Sequence, residues 1–313
     1  MCHNLPMLGV VLALISASAF GANSIITRKG MFRVSANYIA TLTIFTGPVF
    51  FFIIAAVTGE LGSLGEYSWQ AFVLMAISGI GHFALGRSWG YRSIQLIGST
   101  RSYIVTSLNP IVTTILAMVI LGETMTFTMA LGIVCTLAGP LLILVKEEVI
   151  SRSSDASANR VENELDRRTL VKGILYGAGS ALFWGSSAIF IKLGLEHGGS
   201  AIGGSFIAYA SASLAIVPSS FLNREHRGEI LRWDKESLLW VLFSGMTTNL
   251  AQLLRYIALE FGSAIIVSLM LRTVPLWVLF FAFLFMREYE SFSRWVLLGN
   301  GLIMAGTILI LMA

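Results

Sequence analysis

The sequence predicts an all-α integral membrane protein of ten transmembrane helices, arranged as two inverted five-helix repeats. Three observations carry this. Of 313 residues, 56% are hydrophobic and only 12% charged, with a mean hydropathy of +0.79. Soluble domains carry about 25% charged residues, and a water-soluble core cannot absorb that deficit. The apolar residues fall into ten stretches of the length a bilayer requires, about 20 residues each. Finally, the chain repeats itself: residues 9–30 (GVVLALISASAFGANSIITRKG) match 173–194 (GILYGAGSALFWGSSAIFIKLG) without a gap.

The spans read in order as roughly 8–28, 36–58, 70–95, 99–121 and 127–146, then roughly 172–193, 201–221, 237–259, 263–286 and 293–312. Each half makes five crossings. An odd number leaves the chain on the opposite side, so the second half enters the membrane inverted, with a pseudo-two-fold axis in the membrane plane. The boundaries are a first repeat over 1–146, a polar linker over 147–171 and a second repeat over 172–313. The linker region, from Lys146 to Lys172, carries six basic and six acidic residues and reads as solvated. The N-terminal apolar run ends in Ala-Phe-Gly-Ala like a signal peptide, but it lacks a basic leader. Its match to residues 173–194 places it in the fold.

The register of the repeat persists with small slips. Ser16 falls on Ser180, Phe20-Gly21 on Trp184-Gly185 and Arg28 on Lys192. Gly98-Ser99 matches Gly262-Ser263, Pro110 matches Pro275, and Glu123 matches Glu288. Gly132 and Gly139 match Gly299 and Gly306. The 30 glycines cluster within the spans, which reads as helix packing, because small residues let backbones approach closely in lipid. Arg28, Lys29, Arg33, the linker, Arg224, Arg227, Arg232, Lys235, Arg287 and Arg294 fall on one side of the ten-span arrangement, with Lys192 almost alone on the other. The positive-inside rule then puts both termini outside the cytoplasm.

The spans hold basic residues and almost no acids. Arg87 and Arg272 lie ten or so residues from the Gly98 and Gly262 turns, near the bilayer centre at about 1.5 Å per residue. A charge there costs at least ~2.5–3.5 kcal/mol, so these groups must face a wet cavity, carbonyl oxygens or an anionic ligand. Arg272 corresponds to Ser107 through the proline match. The repeat as such therefore did not require an arginine, and a ligand-facing role is expected. Arg87 either supplies a second contact or holds irregular backbone at a helix break. Arg255 has Glu260 nearby as a candidate ion-pair partner, and Arg92 and Arg101 flank the Gly98 turn as snorkelling side chains. His82, deep in the third span, is either a proton relay or a hydrogen-bonded core residue.

Polar neighbours mark out the expected substrate site. Tyr103, Ser107 and Asn109 lie on the fourth span and Ser268 and Arg272 on the ninth, with Ser268 and Arg272 four apart on one face. Asn249 and Gln252 come from the eighth span, and Asn23, Trp184 and Ser187 from the first and sixth. Pro110 and Pro275 each free a carbonyl one turn back, so a helix break or gating bend is expected at both.

Certain motifs identify the family that the chain resembles. They are Phe20-Gly21 and Trp184-Gly185, NPIVTTILAMVILGE from Asn109 to Glu123, VPLWVLFFAFLFMRE from Val274 to Glu288, and the glycines at 132, 139, 299 and 306. In their order and duplication the chain resembles the drug/metabolite transporter superfamily, of the EamA-domain type. The resemblance implies a ten-helix basket with a central cavity lined by the first, third and fourth helices of each half, working by alternating access. It also implies a metabolite substrate. Small relatives that export cationic drugs use an acidic residue in their first helix, which is absent here.

The expectation is a multi-pass protein of a bacterial inner membrane that moves a small organic anion bearing carboxylate or phosphate. Amino-acid or other zwitterion export, flipping of a lipid-linked anion, and a receptor or scaffold role stay open as alternatives. An enzyme is not expected: no Ser/His/Asp set, HExxH or paired intramembrane Asp is present. Cys2 and Cys135 form no metal or disulfide pattern. No GxxxxGK[ST] loop and no basic run with interleaved aromatics occurs, so neither a cofactor, a metal nor a nucleic acid is expected, and the partners are the substrate and the bilayer. The assembly is expected to be a monomer or a homodimer.

Overall fold

The computed structural model describes residues 5–31, 36–154, 167–222, 235–285 and 294–312. Helices occupy all ten predicted stretches: α1 (Leu5–Met31), α2 (Ala36–Val57), α3 (Trp69–Ile97), α4 (99–120), α5 (Phe127–Ser154), α6 (Arg167–Glu196), α7 (Ala201–Leu222), α8 (Lys235–Phe261), α9 (Ala264–Phe285) and α10 (Arg294–Leu311). No strand occurs among the described residues. Six of these helices are long and apolar enough to cross a membrane outright, and α2 adds a seventh when joined through a 101° bend to the short helical turns at 60–66. Over Phe127–Ile143 in α5 and Ala201–Val217 in α7 the apolar run is shorter. α8 carries Lys235, Glu236, Arg255 and Glu260.

The helix interruptions have physical causes. α4 is helical over Ser99–Thr106 and again over Asn109–Ile120. α9 runs over Ala264–Met270, tightens over Leu271–Thr273 and resumes over Val274–Phe285. Pro110 and Pro275 stand just past the two breaks. Each lacks an N–H, and its ring crowds the carbonyl four residues back. The one-residue slip in the repeat between the glycine turns and these prolines falls at the breaks themselves. α3 differs: a π-helical segment, Ile80–Gly86, separates two α-helical parts.

Packing between the halves is reciprocal. α1 lies against α8 and α9 of the other half, and α6 lies in the same way against α3 and α4. The equivalent helices α2 and α7, α4 and α9, and α5 and α10 meet each other directly. The serines matched in sequence do the same work on both sides: Ser16 Oγ donates to the Ala251 carbonyl of α8 at 2.7 Å, and Ser180 Oγ to the Gly86 carbonyl of α3 at 2.7 Å.

The α5–α10 seam shows the sense of the symmetry. A Cβ on Gly306 would lie 2.7 Å from the Gly132 carbonyl oxygen, and one on Gly299 would lie 2.6 Å from that of Gly139. As one partner advances seven residues the other retreats seven, so the two helices are antiparallel. Equivalent elements that meet antiparallel are related by a two-fold axis perpendicular to them, which for membrane-crossing helices lies in the membrane plane. The repeat is therefore inverted.

The start of α1 and the end of α10, with the α2–α3, α4–α5, α6–α7 and α8–α9 connections, share one face of the bundle, called here the terminal face. The Gly98 turn between α3 and α4 lies at the opposite, far face.

Gly139→Val is expected to force α5 and α10 apart, at a cost of about 1–3 kcal/mol for overpacking. Gly301 on the same seam's outer side has open space where a Cβ would sit. A fall in the thermal unfolding midpoint of detergent-solubilised Gly139→Val, with Gly301→Val unchanged, checks this.

Candidate functional site

The π-helical turn in α3 shapes the centre of the molecule. Residues five apart point to opposite sides of an α-helix, but share a face when the turn widens to i→i+5. His82 and Arg87 are five apart across this segment, and Tyr91 follows one α-turn later. All three line a central cavity of about 540 Å³. The widened turn is itself held by the sixth helix: Trp184 Nε1 donates to the His82 carbonyl at 3.1 Å. The sequence equivalent of Trp184 is Phe20, which has no N–H to give, and α8 opposite it is a continuous α-helix.

Other walls of the cavity are regular stripes. α8 supplies Ser244, Thr248, Gln252 and Arg255, at spacings of four, four and three residues on one helix face. α1 supplies Phe20, Asn23 and Thr27 at the same kind of spacing, α4 gives Asn109 and Thr113, and α9 gives Ser268 and Arg272. Toward the far face the lining reaches Thr27 and Ser244, near the end of α1 and the start of α8. In the other direction it stops on Ala188 and Val267, which belong to the main hydrophobic core together with Leu259, Ile265 and Met270. The lining thus extends toward the far side and is floored by the hydrophobic core on the terminal side.

Three arginines reach into it. Arg272 donates from Nη2 to Asn109 Oδ1 at 2.5 Å, across the break in each helix. Its Nε is buried and without a partner among the described residues, as is His82 Nδ1. Arg255, 6% exposed, donates to Gln252 Oε1 and Ser187 Oγ, both at 3.3 Å. The sequence placed Glu260 as its candidate partner; the helix instead turns Arg255 inward to the amide and the hydroxyl. No carboxylate appears among the residues lining this cavity.

A second cavity of about 420 Å³ adjoins the first in the fork between α3 and α4. The two share Arg87, Tyr91, Asn109, Trp184 and Arg272. Tyr103 and Ser107, expected beside Arg272, line this second space. Ser107 Oγ turns back to the Ile104 carbonyl at 2.9 Å. Asn249 lines neither cavity: it is fully buried, and its Nδ2 donates to Thr46 Oγ1 on α2 at 3.2 Å. Pro110 is buried beneath the α4 break.

The terminal face is closed by polar contacts between loops and helix ends. Lys192 Nζ donates to the carbonyls of Leu259, at 3.1 Å, and Gly262, at 2.5 Å, at the end of α8. Glu123 accepts from Ser263 Oγ at 2.7 Å and from the Ala264 and Ile265 amides at 2.7 and 3.0 Å, at the start of α9. A cation thus sits on a helix C-terminus and an anion on a helix N-terminus, each in its favourable place against the helix dipole. Nearby, the Tyr67 hydroxyl bridges Glu60 and Ser200, which also bond to each other. Burial pushes the Tyr67 phenol up from its ordinary range, so it keeps the proton it donates.

Sequence reasoning singled out His82, Arg87, Asn109, Trp184, Gln252, Ser268 and Arg272 but passed over Thr27, Tyr91, Thr113, Ser244 and Thr248. The Ser244–Thr248–Gln252–Arg255 stripe was available as a signal. The His82–Arg87 face was not, because an α-helical wheel separates the two.

A bundle of apolar helices, inverted on itself around a chamber lined by three arginines, has the architecture of a multi-pass membrane transporter. The comparisons agree: a family model for EamA-like transporters matches residues 7–145 and again 171–312. The chain belongs to the EamA-like transporter family, within the drug/metabolite transporter superfamily. It is 24% identical over 303 residues to an uncharacterized transporter, YoaV, of Bacillus subtilis (strain 168), with 96% of each chain covered. A solved crystal structure shares the fold with a TM-score of 0.74 at 15% identity, covering 97% of both chains.

Glu123→Gln removes the charge that caps α9 and is expected to cost about 1–2 kcal/mol. The exposed Glu66 makes a control. A lowered unfolding midpoint for Glu123→Gln and none for Glu66→Gln is the expected result.

Proposed function

We propose that this transporter moves a small organic anion, bound at Arg272 and carried by alternating access. The charge of the chamber supports the reading: Arg87, Arg255 and Arg272 line it without a carboxylate among them. A guanidinium presents a planar fork of donors that matches carboxylate or phosphate oxygens, and Arg272 Nε has no other partner among the described residues. A chamber of about 540 Å³ suits a small metabolite. A zwitterion fits less well, since its ammonium would sit among three guanidinium groups with no acid to meet it. A receptor or scaffold has no need of two symmetry-related halves.

In the ten-span order of the sequence the basic residues fall on the side where α1 ends and α8 begins, so we read the far face as cytoplasmic and both termini as outside. On this reading the described state is closed outward, with the terminal face held shut by Lys192 and Glu123. Opening outward requires those contacts to part and the far ends of α3 and α4 to close over the chamber.

The test is thermal unfolding of the purified protein with anionic, zwitterionic and cationic metabolites, alongside Arg272→Ala. An anion at a hundred times its dissociation constant stabilises the folded state by about 2.7 kcal/mol. That shift is expected in the wild type and absent in Arg272→Ala, with Arg272→Lys keeping part of it. Stabilisation only by a cation or a neutral compound, unchanged in the variant, overturns the reading.

A further inference from the structure

We infer that the α3–α4 cavity is a pocket for the apolar arm of the substrate, so that the ligand is an amphipathic acid. The inference rests on the anion reading of Arg272 and extends it. The pocket is apolar despite its composition. Thr106 Oγ1 donates to the Tyr103 carbonyl and Ser107 Oγ to the Ile104 carbonyl of their own helix. Their protons are thereby taken by their own helix, and Gly90, Tyr91, Ile94, Ser102 and the Tyr103 ring complete a largely apolar wall. Only the doorway is cationic: Arg87 and Arg272 belong to both cavities, with Asn109 and Trp184 beside them. An anionic group bound at Arg272 therefore sits at the mouth of an apolar space of about 420 Å³. Whatever is attached to that group has this pocket next to it.

A wholly polar small anion would leave that space unused. An aryl or alkyl arm would bury itself there, gaining roughly fourfold in affinity for each methylene removed from water, until the pocket is full. The same chemistry is presented by a free hydrophobic acid and by a single-chain acidic lipid.

The experiment uses the full chain in nanodiscs of uncharged phosphatidylcholine and measures binding of the ω-phenylalkanoates from phenylacetate to 8-phenyloctanoate. Affinity is expected to climb severalfold per methylene and then level off. Ile94→Trp, which fills the pocket, flattens that climb, and Tyr103→Ala, which removes part of its wall, weakens it if the tryptophan variant does not fold. Arg272→Ala removes binding of every member. An added lysophosphatidic acid arm tells the sources apart: competition with the phenylalkanoates adds the bilayer as a source, and its absence leaves the free acid. Binding of phenylacetate and phenyloctanoate with equal affinity, both lost in Arg272→Ala, overturns the pocket and leaves the anion site standing. A climb with chain length that Ile94→Trp and Tyr103→Ala leave intact reflects partition into lipid and also overturns it. No binding of any acid removes the anion reading itself.

Discussion

A guanidinium placed at mid-membrane costs at least ~2.5–3.5 kcal/mol, and α3, α8 and α9 each bring one to the edge of the same chamber. The surrounding structure sets neutral acceptors against two of them. The broken helices α4 and α9 put Asn109 against Arg272. The stripe on α8 puts Gln252 beside Arg255, and α6 adds Ser187. The widened turn in α3 brings Arg87 and His82 onto one wall. Around Arg255 and Arg272 the partners are neutral dipoles, which solvate a cation without cancelling its charge.

Duplication supplied the frame and divergence supplied the chemistry. What the halves keep in common is packing: Ser16 and Ser180 on opposite third helices, and the four glycines that let α5 and α10 touch. What they do not share lies at the chamber. The pair symmetric to Arg272 and Asn109 is Ser107 and Val274, which cannot make the same bond. Trp184 finds an acceptor in the π-turn of α3, whereas Phe20 faces an unbroken α8. An inverted frame therefore holds a chamber with no symmetry of its own.

The fold was legible because bilayer thickness imposes a length on every apolar run and because the glycine, serine and proline matches survive in order. Glu123→Gln and Gly139→Val both probe contacts whose residues were visible as repeat matches. The site was harder to read. Hydropathy identifies Asn249 and Gln252 as polar interruptions of one helix but does not say which of them faces inward; α2 takes Asn249 through Thr46. Glu260 stood close to Arg255 in sequence, yet the chamber wall, not the ion pair, decided where that arginine points. The π-turn left no mark in the pattern, since it changes rotation within a helix rather than composition. Tyr103 and Ser107 share with Arg272 the adjoining pocket and not the central chamber.

The reciprocal packing of α1 has a consequence for how the protein is made. Ser16 finds its acceptor on Ala251, 235 residues later in the chain. At about 5–20 residues per second of synthesis, that partner emerges roughly 10–50 s after the first helix. During that interval α1 stands in the bilayer without α8 and α9, with Ser16, Asn23 and Thr27 turned toward lipid or toward whatever insertion machinery holds it. The order of synthesis thus runs against the order of packing. A first half released alone would carry an exposed polar stripe that only the second half is built to cover.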